Sequence, residues 1–176
     1  MSRVARLSFG TAGVPGRSGG MTTLDGLREL GRLGLGAMEL AFVRRVNVSE
    51  REAPQVRAMA QECGVWLSVH APYYVNLNSR DPRKVAASRR RILDSARVGH
   101  LCGATHVVFH PAWRHGDCSA VVAARVRRHL VEMTEELSAR GIDILLCPET
   151  TGRAAQFGDL DELLLVTENI PGVQPC

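Results

Sequence analysis

The chain has 176 residues and a mass of 19.2 kDa, enough for one domain with a hydrophobic core and too little for two ordinary ones. Hydrophobic residues make up 45% and charged residues 23%, which excludes a disordered or fibrous protein. The net charge of +4 allows an anionic partner without requiring one. We expect a single domain over residues 1–176. No membrane-spanning run or signal-peptide pattern is found, so we expect a cytoplasmic protein with no membrane partner.

Short apolar runs alternate with longer segments of helical period along the chain. The predicted order is strand Val4–Phe9, helix Leu24–Leu33, strand Ala37–Phe42, helix Arg51–Cys63, strand Val65–His70, helix Arg83–Cys102, strand Thr105–His110, helix Ser119–Arg140, strand Ile142–Pro148 and helix Leu160–Asn169, with 172–176 as the opening of a sixth strand. Strict alternation of this kind is typical of an α/β fold with a parallel sheet, either open or closed into a barrel.

Capping signals and a buried stripe support the helices. Hydroxyl or carboxylate residues three positions before an acidic residue predict capping boxes at Thr22 and Asp25, Ser49 and Glu52, and Asp159 and Glu162. In the fourth helix apolar residues recur at helical spacing, at Val122, Val126, Leu130, Met133 and Leu137. This period predicts a helix that covers the sheet.

Three residues that commonly bind metals stand at the ends of predicted strands. His70 and His110 end the third and fourth strands, and Glu149 directly follows the fifth. The carboxyl ends of parallel strands meet at one rim, where active sites of such folds form. Two imidazoles and a carboxylate suit a divalent transition metal, above all zinc. Glu39 occupies a comparable place on the second strand.

The other histidines and the cysteines carry weaker signals. His106 is expected to pack in the core or behind the ligands, and His129, in a basic cluster on a helix, is expected on the solvated surface. His115 lies in a loop after the fourth strand, where it can contact a ligand or a phosphate. The five cysteines form no C-x-x-C pair and are expected to be structural free thiols.

The loop after His70 and several arginines are candidates for binding an anionic polymer. Both tyrosines of the chain, Tyr73 and Tyr74, lie in this loop, where an aromatic ring can stack on a base or simply pack. Arg44, Arg45 and Arg80 are placed on rim loops, as phosphate recognition requires. The run at 89–91 falls in mid-helix and is expected to face solvent.

Three segments in register resemble the endonuclease IV family of apurinic/apyrimidinic endonucleases. They are Ser68–Leu77, with the sequence SVHAPYYVNL, Val108–Pro111, with VFHP, and Pro148–Gly152, with PETTG. The QFG turn at 156–158 and the helix after it are also similar to that family. The resemblance runs from about Leu7 to the end of the chain.

This resemblance implies a TIM barrel of the (β/α)8 type, here incomplete, with about five βα units and the start of a sixth strand. It implies a zinc-dependent enzyme of base excision repair that hydrolyses the phosphodiester 5′ to an abasic site in double-stranded DNA, monomeric at full length. His70 and His110 would hold one zinc ion, and Glu149, the catalytic candidate, would bridge it to a second. Tyr73 would enter the DNA, and Arg44, Arg45 and Asn76 are further candidates for DNA contact.

A barrel of this type takes about 250 residues, and the remaining ligands of the family's trinuclear zinc cluster would fall beyond Cys176. We therefore expect the isolated chain to be nearly inactive as a nuclease. Two alternatives stay open. One is a sugar isomerase or epimerase of the xylose-isomerase-like superfamily with one divalent metal, and the other is a non-catalytic remnant that binds DNA or another subunit.

Overall fold

A five-stranded parallel sheet, covered by helices, forms the centre of the fold. The computed structural model describes residues 7–15 and 20–176. In chain order its elements are β1 (Gly10–Ala12), α1 (Thr23–Leu33), β2 (Ala37–Ala41), α2 (Ala53–Glu62), β3 (Trp66–His70), α3 (Pro82–Cys102), β4 (His106–Phe109), β5 (Ala112–Trp113), α4 (Ser119–Ala139), β6 (Leu145–Pro148), β7 (Gln156–Phe157) and α5 (Leu160–Thr167). None of the helices in these ranges is long and apolar enough to cross a membrane.

The strand order in the sheet follows the chain order. The sheet runs β1-β2-β3-β4-β6, and all four pairings are parallel. A doubly wound sheet would instead reverse its strand order at a switch point. The predicted α/β fold of barrel type is thus confirmed, as five consecutive βα units.

The C-terminal residues lie along β6 in the way that the sequence predicts for a new strand. The amide of Leu146 donates to the carbonyl of Gly172 at 2.9 Å, and the amide of Gln174 donates to the carbonyl of Leu146 at 3.1 Å. Leu146 and Val173 form a parallel bridge. Residues 172–176 therefore extend the parallel sheet beyond β6.

The start of the chain departs from the prediction. The residues of the first predicted strand before 7 lie outside the described residues, and 7–9 precede β1, which begins at Gly10. Here β1 and β2 approach so closely that a Cβ at Gly10 would fall 1.9 Å from the carbonyl oxygen of Ala37.

The short antiparallel pair of β5 and β7 was not predicted, because two-residue strands show no period.

Two of the predicted capping boxes open helices as expected. Both reciprocal hydrogen bonds are present at Thr22 before α1 and at Asp159 before α5. Ser49 and Glu52 form the same reciprocal bonds, but these bonds close a turn ahead of α2, which begins at Ala53.

The stripe of α4 is buried as predicted, and it includes a histidine that was expected outside. All five apolar stripe residues are buried, and His129 is only 7% exposed. The expectation of a solvated His129 was wrong: it lies three residues after Val126 and four before Met133, so the helical period turns it inward. The basic residues next to His129 in the sequence had suggested a position on the surface instead.

Of the free cysteines, Cys102 and Cys147 are buried, whereas Cys118 and Cys176 are exposed.

Helix α3 packs on the sheet at a glycine, so a larger residue at this position tests how closely the two elements pack. A Cβ at Gly99 would stand 2.8 Å from Cγ2 of Val69 and 3.0 Å from Cδ1 of Ile144. We expect Gly99→Ala to lower the free energy of unfolding by about 1–3 kcal/mol in urea titrations, because overpacking outweighs the better helix propensity of alanine.

The matched control is Gly152→Ala, since a Cβ at Gly152 meets nothing within 4 Å. Its stability should stay within about 0.5 kcal/mol of the parent. A Gly99→Ala variant as stable as this control would show that α3 does not pack closely against β3.

Candidate metal centre

The register of three neighbouring strands brings His70, His110 and Glu149 to one place. His70 is the last residue of β3, while His110 and Glu149 directly follow β4 and β6. The ladders continue past the strand ends, where the amide of Ala71 donates to Val108 at 2.8 Å and the amide of Glu149 donates to Phe109 at 2.9 Å. His110 and Glu149 therefore stand side by side, whereas His70 pairs with Val108, two residues before His110. All three side chains lie at the carboxyl rim, but not at the single level that was expected.

Their ligand atoms are close enough to share one ion. One nitrogen from each histidine and one carboxylate oxygen of Glu149 all lie within 4.8 Å of one another. Nε2 of His70 is 3.2 Å and Nδ1 of His110 is 3.4 Å from the same oxygen, Oε2 of Glu149. All three residues are half-buried, so the cluster is shielded but reachable.

The orientation of the His70 ring suits a metal ligand. Its Nδ1 is 2.8 Å from the carbonyl oxygen of Ala71, and because a carbonyl only accepts, Nδ1 carries a proton and donates. Nε2 then faces the cluster. A histidine that binds a metal commonly donates its other ring N–H to a backbone carbonyl in this way, which fixes the orientation of the ring.

His110 offers a nitrogen that the protein itself leaves unsatisfied. Its Nδ1 is buried and has no hydrogen-bond partner among the described residues, although Glu149 is near. A buried polar atom without a partner costs free energy. The orphaned nitrogen, together with the two other ligand atoms, fits an ion held between the three side chains.

The electrostatics of the cluster keep the carboxylate ionised. The hydrogen bond from His70 lowers the pKa of Glu149, against an opposing effect of burial. Burial lowers the pKa of His110. For His70, burial alone would lower the pKa, but its hydrogen bonds to Glu149 and Ala71 and the nearby carboxylates raise it overall.

Two further groups stand close to the cluster. Burial raises the pKa of Glu39 on β2, which also feels the charges of His70 and Glu149. Partial burial raises the pKa of the Cys176 thiol, and the carboxylates of Glu149 and Glu39 add to this shift. Glu39 was expected at the level of His70, but it pairs with Ser68 in the middle of β2, and Ala41 is the residue that pairs with His70. No sequence signal pointed to Cys176.

The tyrosine loop stands beside the cluster and presents its rings to solvent. Tyr73 and Tyr74 are 61% and 62% exposed. The ring of Tyr73 meets the ring of His70 edge-on, with 6.0 Å between centroids. The predicted neighbourhood of Tyr73 and the candidate metal ligands is therefore present in the structure.

Asn76 uses its side chain to hold this loop. Its Oδ1 accepts hydrogen bonds from the amides of Asn78 and Trp113, both at 3.1 Å. This fixes the orientation of the side-chain amide, so Nδ2 donates to Nε2 of His115 at 2.8 Å. Asn76 thus organises the loop, and His115 is tied to it rather than to the metal cluster.

The arginines of the rim divide into two kinds. Arg44 and Arg45 are exposed, line a cleft of about 510 Å³ together with Arg91, and have no carboxylate within 4.0 Å among the described residues. Arg80 instead donates to the carbonyl of His115 at 3.0 Å and lies 3.9 Å from Asp117. Arg91 was expected to face solvent, but it donates to the carbonyl of Tyr74 at 3.2 Å.

His106, on the same strand as the candidate ligand His110, is a natural control for it. It lies at the opposite end of β4 from His110, is half-buried, and packs edge-on against Trp66 with 5.2 Å between ring centroids. It takes no part in the cluster of ligand atoms. The expectation that His106 packs in the core or behind the ligands was wrong, because it lies half-buried at the other end of the strand.

A parallel βα sheet with a His-His-Glu cluster at its carboxyl rim defines a barrel-type α/β protein with a candidate metal centre. A family model described as xylose isomerase-like TIM barrel matches residues 27–176. The chain belongs to this family.

Relatives by sequence include endonucleases. An uncharacterized protein of Methanocaldococcus jannaschii is 37% identical over 177 residues, which covers 100% of this chain and 62% of the relative. Probable endonuclease 4 of Streptomyces avermitilis is 33% identical over 108 residues, 61% of this chain and 35% of the relative. That of Mycoplasma pneumoniae is 30% identical over 104 residues, 58% and 35% respectively. The chain spans less than two thirds of each relative.

Solved structures with the same fold have two different activities in their names. Endonuclease IV from Thermus thermophilus aligns with a TM-score of 0.71 and 23% identity, over 88% of this chain and 56% of the other. A D-psicose 3-epimerase aligns with a TM-score of 0.69 and 18% identity, over 88% and 57%. These similarities establish the fold. The activity has to be inferred from the residues of the site.

The structural role of Asn76 can be tested by its removal. We expect Asn76→Ala to lower the free energy of unfolding by about 1–3 kcal/mol, because two backbone amides lose their acceptor. Urea titration measures the change, and Asn47→Ala, at a position outside the buried core, is the matched control. An Asn76→Ala variant as stable as Asn47→Ala would contradict this role.

Proposed function

We propose that the protein is a zinc-dependent endonuclease of the endonuclease IV type, which acts at abasic sites in double-stranded DNA as part of base excision repair. The observation that carries the proposal is the His70, His110 and Glu149 cluster, with its orphaned Nδ1, directly beside an exposed tyrosine loop. The endonuclease 4 relatives, at 30% and 33% identity, support it. A cytoplasmic location and a monomeric full-length enzyme belong to the same proposal.

The residues of the cluster suit zinc, and each of them has a separate proposed role. Two imidazole nitrogens and one carboxylate oxygen form a ligand set that zinc commonly takes in catalytic sites. His70 is oriented by Ala71, and Glu149 contributes its negative charge to both histidines. When bound, zinc supplies Lewis acidity, which activates water and offsets charge on a phosphodiester. Glu149 is the proposed catalytic residue.

The surroundings of the cluster suit a DNA strand. Tyr73 projects into solvent next to His70, where an aromatic ring can stack on a base or fill the gap left by one. Arg44 and Arg45 carry charges that the described residues do not neutralise, as phosphate contacts require. Asn76, also predicted as a DNA contact, is proposed to act through the loop that it holds.

The second candidate is a sugar epimerase with one divalent metal, which the likeness to D-psicose 3-epimerase favours. Both activities use polar residues at the same rim, so fold alone does not separate them. The tyrosine loop and the unneutralised arginines favour the nuclease, since a small sugar needs neither.

The proposed zinc site can be tested without any enzymatic activity. We expect the chain to retain zinc through dialysis and His110→Ala to lose at least about tenfold in zinc affinity, because one ligand is gone. Metal content and a competition titration with a chelator measure this. His106→Ala is the control from the same strand and should bind zinc as the parent does. Equal affinity in the two variants would exclude His110 as a ligand.

The proposed activity is tested by binding and incision of a duplex with one abasic site. We expect the zinc-loaded chain to bind this duplex more tightly than an intact one, and Tyr73→Ala to lose the preference. Incision should occur on the 5′ side of the lesion, slowly in the 176-residue chain, and should vanish in Glu149→Gln.

Three results would contradict this proposal. Equal affinity for abasic and intact duplexes would remove the lesion as the target. Interconversion of ketohexose epimers with one exchangeable manganese ion would favour the sugar epimerase. Binding of abasic DNA without incision, under conditions where Glu149→Gln behaves as the parent, would favour a non-catalytic binding protein.

A further inference from the structure

Behind the tyrosine loop lies a pocket that is separate from the metal cluster. It has a volume of about 730 Å³ and is lined by the loop, by the first turns of α3 and by the segment around β5. Its size is that of an ordinary small-molecule site. None of the three metal-binding candidates lines it.

The lining combines aromatic rings with cations. Tyr73, Tyr74 and Trp113 supply the rings, and Arg83, Lys84 and Arg91 supply the charges. No carboxylate of the described residues lines the pocket. Within the same part of the chain, none of these three cations has a carboxylate within 4.0 Å, so their charge is available to a ligand.

A larger groove between α3 and α4 differs from this pocket, because its cations are paired with carboxylates. That groove has a volume of about 760 Å³ and is rich in arginine, but Asp94 and Glu136 line it as well. Its arginines are paired: Arg90 lies 3.6 Å from Asp94, and Arg140 lies 2.7 Å from Glu136. The same helix α3 therefore carries neutralised arginines on one side and unneutralised cations on the other.

The pocket is held in shape before any ligand arrives. The amide of Asn76 donates to Oγ of the buried Ser88 on α3 at 2.9 Å, and Arg91 donates to the carbonyl of Tyr74 at 3.2 Å. The amide of Trp113 donates to Asn76, which fixes the third wall. A preformed pocket avoids the entropic cost of ordering its walls on binding.

We propose that this pocket binds an unstacked nucleotide, with its base against Tyr74 and Trp113 and its phosphate between Arg83, Lys84 and Arg91. Aromatic faces hold bases of any sequence, and unpaired cations hold the phosphate. The ligand is either a free mononucleotide or a nucleotide of an unpaired DNA strand, since both present the same chemistry. The choice of a nucleic acid rests on the proposed function, whereas the pocket itself does not use the metal cluster.

The two tryptophans of the chain make the test direct. Trp66 lies at the far end of β3 from His70, so Trp66→Phe leaves Trp113 as a fluorescent reporter within the pocket. We expect a short thymidylate oligonucleotide to quench Trp113 and inorganic phosphate to leave it unchanged. Quenching by thymidine monophosphate as well would identify a site for free nucleotides, and quenching by the oligonucleotide alone would identify a site for a strand.

Substitutions in the same background assign the contacts. We expect Tyr74→Ala to weaken oligonucleotide binding at least about fivefold through loss of stacking, whereas Tyr74→Phe keeps the affinity. Lys84→Ala should weaken binding and lower the dependence on salt by about one phosphate contact. Arg90→Ala, which removes one charge from the same helix outside the pocket, should bind as the parent does.

The outcomes separate this proposal from the proposed function. Absence of quenching, quenching by inorganic phosphate alone, or equal losses in Lys84→Ala and Arg90→Ala would overturn the nucleotide pocket, even if abasic DNA is still bound at the rim. Quenching that depends on Tyr74 and persists in His110→Ala would support the pocket, even if no incision is found.

Discussion

Parallel hydrogen bonding between β3, β4 and β6 is the constraint on which the candidate site depends. His70 pairs with Val108, two residues before His110, and Phe109 pairs with Pro148, which places His110 beside Glu149. A separation of two residues keeps His70 on the same face of the sheet as the other two. Side chains alternate across a sheet, and a slip of one residue would send a ligand to the other face. The convergence of His70, His110 and Glu149 is thus set by the strand register, and the side chains supply the chemistry of a candidate metal site.

Charge neutralisation decides which basic surfaces of this arginine-rich chain are available to an anion. On α3, Arg89 pairs with Glu132 of α4 and Arg90 pairs with Asp94 of the same helix, so the charges of both arginines are neutralised within the protein. Arg91, one residue further, turns toward the tyrosine loop and donates to its backbone. Neighbours in sequence therefore serve different purposes, because a helix rotates each residue by about 100° from the last.

The sequence predicts what depends on period and misses what depends on packing between elements. The strand ends at His70, His110 and Glu149 follow from alternation of βα units, and the α4 stripe follows from helical spacing. The burial of His129 was also contained in that spacing but was masked by its basic neighbours. The hydrogen bonds of Asn76 to Trp113 and His115, and of Arg91 to Tyr74, join segments far apart in the chain. No local pattern encodes them.

The loop that follows β3 couples the two parts of the site. His70 donates to Ala71, and Tyr73 packs edge-on against His70. The first residues of the loop are therefore fixed relative to a metal-binding candidate. Further along, Asn76 and Ser88 fix the loop to α3. Under the proposed function, a DNA strand that rests on Tyr73 and Tyr74 would be held at a set distance from Glu149 by covalent geometry and hydrogen bonds. Fixed placement of this kind is what a hydrolytic site needs, since orientation of the reacting groups supplies much of the rate.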